Sequence, residues 1–424
     1  MELKLLKNKN LALLIAGQFV SHFGSGMQSF ALSLYVLHLT GSGTMFASVL
    51  AISMIPRLIA GPICGVFADW FDRKKIIVYL DLLSAAVIGG LFILSQRTEL
   101  TILHIYLTVI IMSLISAMFS PAISTAIPSV VTQEELVGAN ALNRFALTLC
   151  YMLYPVAAGL IFGLYGISVV LLINGISFVL SAVSEMFIDL KTPNKKKTKP
   201  SYQDFKTDFS KGIEVIQRHK LIRNIMGLAL AANGLIAPAI SVGLIFVANQ
   251  LLEVSDWQLG ILQTALVSGS LVGSMFTGAL SKRYSLEKLL AFAVMAIGGL
   301  IVFIALNASD FYFARFSVNT VPFITLVAVA MMITSIAVIT NIGVSTLLQR
   351  EVPLEMLGRV SSVKETFSMA AVPMGQMLFG IVFDYTLAPI PFIVSGGMVI
   401  MIGFLFYRSI MENRKPVTAA VKAG

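Results

Sequence analysis

Apolar and polar residues alternate along this chain in long blocks, the pattern of helices that cross a membrane. A crossing needs about 20 mostly apolar residues, each rising ~1.5 Å. Twelve stretches reach that length, near 11–39, 44–68, 76–95, 103–128, 139–165, 167–189, 221–249, 256–280, 286–306, 319–348, 359–385 and 387–410. The one long polar stretch begins KTPNKKKTKP and continues SYQDFKTDFSKGIEVIQRHK over 191–220. Within it Phe205, Phe209, Ile213 and Ile216 are spaced 4, 4 and 3. That spacing predicts an amphipathic helix lying on the membrane surface, with a regulatory docking site as the alternative. The expected organisation is a six-helix half over 1–190, a cytoplasmic linker over 191–220, a second six-helix half over 221–411 and a cytoplasmic tail over 412–424.

The basic residues orient this arrangement. With the N-terminus taken as cytoplasmic, 27 of the 30 Lys and Arg fall in cytoplasmic segments, Arg97 and Arg315 fall outside, and Arg57 lies within a span. By the positive-inside rule both termini are cytoplasmic and the number of spans is even. Composition agrees: of 424 residues 57% are hydrophobic and 12% charged, about half the ~25% charged residues of soluble proteins. Mean hydropathy is +0.89. So few charges cannot cover a soluble surface, and so apolar a chain is not disordered. The net charge of +9 sits in short loops and reads as topology, not as a nucleic-acid surface. Cys64 and Cys150 fall inside spans, which argues against a disulfide framework. The run after Met1–Asn10 is too long for a signal peptide and reads as a retained first span. These features describe a multi-pass protein of a bacterial-type plasma membrane.

Two elements recur in both halves. GVFADWFDRKK (65–75) follows the second span and GALSKRYSLEK (278–288) the eighth; Glu135-Leu-Val-Gly138 has its counterpart in Glu355-Met-Leu-Gly358. Parallel six-span repeats are one design of secondary transporters. These residues resemble the signature of the major facilitator superfamily: a glycine, an acidic residue four positions on, then a basic cluster. The form with Asp72 in place of the usual glycine, together with SPAISTAIPSVVTQEELVGANALN (120–143) and QREVPLEMLGRVSS (349–362), is similar to the branch that holds the macrolide-efflux proteins and the enterobactin exporter. The resemblance implies an all-α membrane protein with twelve transmembrane helices in two pseudo-symmetric halves. It also implies a conformational gating motif at Gly65, Asp69, Asp72, Arg73 and Lys74, with Asp69 facing the start of the eleventh span near Gly358–Ser361. Two departures weaken the link to proton antiport. The fourth span lacks the arginine motif of many drug–proton antiporters, and the fifth carries only Tyr154-Pro155-Val-Ala-Ala-Gly159 of the antiporter motif.

Several polar residues within spans are candidates for chemistry. Arg57 is the only basic residue deep in one, where an arginine costs ~2.5–3.5 kcal/mol. It serves either substrate or gating, or else an internal pairing between helices. Gln18, His22, Ser25 and Ser29 fall on one helical face. So do Ser113, Ser116, Ser120 and Ser124 in the fourth span, and Thr334, Asn341 and Ser345 in the tenth; Asn233 and Ser241 mark one side of the seventh. Such faces line a water-filled cavity or bond a neighbouring helix. By the resemblance these four spans line the substrate cavity, and they hold no acidic residue. The remaining carboxylates for proton coupling are Asp81, Glu185, Glu365 and Asp384, each alternatively a structural charge.

No phosphate-cradling loop of the G-x-x-x-x-G-K-[ST] type, no metal-ligand spacing among the four histidines and no G-x-S-x-G elbow occur. The chain therefore reads as a transporter without enzyme activity, cofactor or metal. Its partners are a small-molecule substrate, protons and the lipid bilayer, with no nucleic acid, and it acts as a monomer. The resemblance implies export of lipophilic or amphipathic compounds such as macrolide-like antibiotics by proton antiport. Siderophore or metabolite export, lysophospholipid flipping, uptake by symport and a non-transporting receptor or scaffold are the alternatives.

Overall fold

The computed structural model describes residues 5, 7–68, 73–124, 126–132, 134–189, 202–309, 315–316 and 319–413. Among them there is no strand. The helices are α1 (Lys9–Thr40), α2 (Gly43–Ala68), α3 (Arg73–Arg97), α4 (Ile102–Ser124), a single turn α5 (Ile127–Val130), α6 (Leu136–Met186), α7 (Tyr202–Arg218), α8 (Lys220–Ala231), α9 (Asp256–Arg283), α10 (Leu286–Asn307), α11 (Thr320–Glu351), α12 (Leu354–Tyr385) and α13 (Pro389–Asn413). Beyond α8 the chain stays helical in three π-wound stretches, Ala232–Ile236, Ala239–Leu244 and Val247–Leu251. Ten of these helical segments are long and apolar enough to cross a membrane.

The difference from twelve has two sources. First, α6 covers 51 residues, more than twice the ~20 that one crossing of a ~30 Å hydrocarbon core needs. Gly166 interrupts it, with φ 74° and ψ −176°, a backbone conformation reserved almost entirely for glycine. Two crossings therefore appear as one merged helix. Second, α1 has 32 residues but carries a polar face. Its ends are well defined. The Asn8 side chain accepts from the backbone N–H of Asn10 and Leu11, and Gly41, in the left-handed region at φ 62°, returns its N–H to Leu37.

The chain forms two compact units, one of residues 1–200 with 253–264, the other of 201–252 with 265–424. In the first unit α1 packs mainly on α6, α3 on α6, and α2 on α4. The α1–α6 contact is built from small and polar residues, because lipid tails give no hydrophobic force between helices. Ser181 Oγ donates to Gly17 O (3.1 Å), Ser184 Oγ to Leu13 O (3.0 Å) and Asn174 Nδ2 to Gln28 Oε1 (2.5 Å). A side chain at Gly24 would collide with Asn174 and Ser177, so close packing there needs glycine. Leu11, Leu14, Ile77, Ile127 and Ala139 close the core at one end of this unit.

In the second unit α10 packs on α13 and α11, and α12 on the π-wound segment. Phe246, Phe379, Phe383 and Phe392 stack into one aromatic cluster, with ring centroids 4.6 Å apart for Phe246–Phe383 and 5.5 Å for Phe383–Phe392. The linker helix forms as α7, but its apolar face meets protein where a membrane surface was expected. Phe209 stacks on Phe367 of α12 at 6.4 Å, Gly212 lies against Val363 and Arg359, and Ile216 is buried. A helix whose apolar stripe has a glycine at its centre can approach another helix closely. Residues 190–201, most of the basic part of the linker, and 414–424 lie outside the described residues.

Candidate functional site

The polar residues of α1, α2, α3, α4 and α6 in the first unit converge on a cavity of about 200 Å³. His22, Ser25 and Ser29 reach it from α1, and Ser113 and Ser116 from α4. Ser113 Oγ also donates to Ser53 O of α2 at 2.7 Å, tying two cavity helices together. Asp81 is the one carboxylate among the lining residues. It is 2% exposed, and its Oδ2 has no hydrogen-bond partner.

Behind Asp81 lies Glu185 of α6, also 2% exposed, with both carboxylate oxygens unpartnered. Asp81 and Glu185 stand close enough to interact, with the Ser181 hydroxyl beside both. Among the described residues neither carboxylate has a Lys or Arg partner. Burying one carboxylate away from water is costly; burying two together without compensation adds their repulsion.

A second cavity, about 520 Å³, adjoins the first; His22, Ser116 and Phe119 line both. Gln18, Arg57, Asn143, Arg144 and Tyr151 complete much of its wall. Arg57 stands fourteen residues into α2, about 21 Å along the helix. Among the described residues Arg57 forms no ion pair.

In the second unit Asn233 and Asn341 line a third cavity of about 170 Å³ with Thr340, Lys364, Glu365 and Ser368. Here the π-wound helix contributes, because π turns widen the backbone and often occur where a helix bends around a site. Ser241 and Thr334 line none of these three cavities. Ser241 accepts from Gln376 Nε2 at 3.1 Å, and Thr334 Oγ1 bonds back to Ala330 O at 3.1 Å, close to Gly269 of α9.

The four carboxylates expected for proton coupling separate into two kinds. Asp81 and Glu185 come together in the interior. Glu365 is exposed with its carboxylate 4.0 Å from Lys364 Nζ, and Asp384 is exposed near the end of α12. Of the gating motif, Gly65 lies in α2, Lys74 is half-buried at the start of α3 and Arg73 begins α3. Asp69 and Asp72 lie outside the described residues, as do the side chains of Arg73, Ser120 and Ser124. Glu135 is engaged locally: Thr132 donates to it through both its backbone N–H (3.1 Å) and its hydroxyl (3.0 Å), just before α6.

Pattern reading missed Ser21, Gln28, Ser84 and Asn174, all on the first cavity. Asn174 had a signal, a lone amide inside the apolar run 167–189. Gln28 had one as well, since it extends the α1 stripe from the adjacent face.

Macrolide efflux protein A of Streptococcus pyogenes is 23% identical over 394 residues, covering 92% of this chain and 93% of that protein. Multidrug efflux pump Tap of Mycobacterium bovis is 22% identical over 378 residues, covering 88% and 86%. Among solved structures, a bacterial homologue of the iron transporter ferroportin in its inward-facing state superposes with a TM-score of 0.71 at 17% identity, over 95% of this chain and 99% of that one. The nucleoside transporter NupG superposes with a TM-score of 0.73 at 14% identity, over 95% and 98%. At such identities the solved structures speak to the fold alone. The family model of the Major Facilitator Superfamily matches residues 14–375, and the chain is therefore a membrane transporter of the Major Facilitator Superfamily.

Proposed function

We propose that this chain is a monomeric secondary active exporter of lipophilic or amphipathic compounds, macrolide-like antibiotics included, and that it works by proton antiport. The observation that carries the reading is the Asp81–Glu185 pair at the wall of a polar cavity, without a basic partner among the described residues. Two neighbouring carboxylates away from water require a compensating positive charge. A proton is the smallest such charge and can be taken up and released as access to the cavity changes. One charge moved through 100 mV supplies ~2.3 kcal/mol, enough to drive accumulation against a gradient. The relatives named for macrolide and multidrug efflux support the direction and the cargo class. In this reading twelve crossings place both termini in the cytoplasm, and Asp69 and Arg73 bias the exchange between conformers.

The test is cellular accumulation of labelled amphipathic compounds, macrolides among them, with wild-type protein, with Asp81→Asn and with none, before and after an uncoupler. Lower accumulation that depends on Asp81 and rises on uncoupling is the expected result. Equal accumulation in all three across the whole panel would refute export.

A further inference from the structure

The larger cavity of the first unit is lined by two guanidinium groups, Arg57 and Arg144, together with His22, and by no carboxylate. Among the described residues neither arginine forms an ion pair. An arginine inside a span is normally compensated by an acidic neighbour. Arg57, within α2, and Arg144, near the start of α6, open onto the same space. An anion there would compensate both positive charges and engage the planar donor forks of both groups.

A second, independent feature points to a ligand. Gln18 is 2% exposed, yet its Oε1 has no hydrogen-bond partner, and Asn143 Oδ1 is buried without one as well. Both residues face the same cavity. Two carboxamide oxygens without donors ask for a hydroxyl or N–H on the occupant. Phe119, Leu147 and Tyr151 supply apolar and aromatic wall for the rest of the molecule.

We propose that the Arg57–Arg144 cavity binds the anionic group of an amphipathic organic anion that also carries a hydroxyl or N–H donor, and that such anions are among the transported compounds. This assignment rests on the exporter reading and adds an anionic cargo class to it.

The probe is 8-anilinonaphthalene-1-sulfonate, titrated by fluorescence into the full chain in lipid nanodiscs, with empty nanodiscs subtracted. Its neutral counterpart, N-phenyl-1-naphthylamine, has the same rings and N–H but no sulfonate. Arg57→Gln and Arg144→Gln are each expected to weaken sulfonate binding about tenfold or more, the scale of a lost charge-assisted hydrogen bond, while binding of the neutral compound changes less than twofold. Arg57→Lys keeps the charge and is expected to bind with intermediate affinity, which separates charge from folding. Arg97→Gln, at the exposed end of α3, is expected to bind as wild type. Displacement of the probe by naphthalene-1-sulfonate would mark a soluble anion as cargo, and displacement by lysophosphatidylglycerol an anionic lipid. Sulfonate affinity unchanged in both glutamine variants, equal loss for both probes, or displacement by neither competitor would overturn the assignment. Binding is read without a gradient, so it stands apart from export. Arginine-dependent binding without efflux in cells would sink the export reading alone, and efflux without arginine-dependent binding would sink the anion site alone.

Discussion

Asn174 of α6 donates its amide to Gln28 of α1 at 2.5 Å, 146 residues apart in sequence, and both are buried beside the cavity that contains Asp81. The bond joins the two helices that make the most extensive contact in the first unit. Removing one partner leaves the other buried and unsatisfied. Measured values for such bonds in membranes average ~0.6 kcal/mol and reach ~1.7. Asn174→Leu should therefore lower the thermal unfolding midpoint of the purified protein, and so should Gln28→Leu. The double variant Gln28→Leu/Asn174→Leu should lose less than the sum of the singles, because no orphaned amide remains. Strictly additive losses would show that the two amides do not support each other.

Gly166 gives a prediction in which strain can be separated from packing. A Cβ there meets nothing within 4 Å, yet the residue has φ 74°. Gly166→Ala should cost about 1–3 kcal/mol through backbone strain alone. Gly90 of α3 has equally open surroundings and no positive φ. Gly90→Ala should stabilise by about 0.5–1 kcal/mol, as alanine for glycine does inside a helix. Thermal unfolding of the two variants side by side is the measurement, and loss of stability in both would remove the distinction.

Asp81 and Glu185 share one buried site, so either substitution should interrupt the same step. In proteoliposomes with an imposed pH gradient, Asp81→Asn and Glu185→Gln should each reduce gradient-driven transport at least tenfold. Exchange of substrate without a gradient should persist, because it needs no net proton movement. The double variant should be no worse than either single. Asp81→Asn with undiminished pH-driven transport would separate this pair from coupling. Glu365→Gln, at an exposed position beside Lys364, should leave coupling intact.

The docking of α7 rests on Gly212. A Cβ there would lie 2.8 Å from Val363 Cγ2 and 2.9 Å from Arg359 O. Gly212→Leu should lift α7 from α12 and raise amide hydrogen exchange over 202–218 by an order of magnitude or more, while exchange in α10 and α13 stays unchanged. Unaltered exchange in α7 would mean that its protection comes from the lipid surface.

The positions of the helices were legible in the sequence, because a ~30 Å hydrocarbon layer sets the length of an apolar run and leaves a plain signal. The signature at 65–75 and its partial repeat at 278–288 were legible for the same kind of reason, being local in sequence. Periodicity also placed His22, Ser25 and Ser116 on faces that meet at a cavity. For Ser241 and Thr334 it left the choice open, since a polar face looks the same whether it meets water or another helix.

What the sequence by itself determined is therefore a basic-looped, many-helix membrane protein with transporter-like repeats and a short catalogue of intramembrane polar residues. Only the tertiary structure decided which of those residues are neighbours. It paired Asp81 with Glu185 across α3 and α6, set Arg57 and Arg144 on one cavity from α2 and α6, and turned the apolar stripe of α7 onto α12. Each of these depends on contacts between residues far apart in the chain. Helical periodicity fixes the face on which a side chain stands, but packing between helices fixes what that face meets.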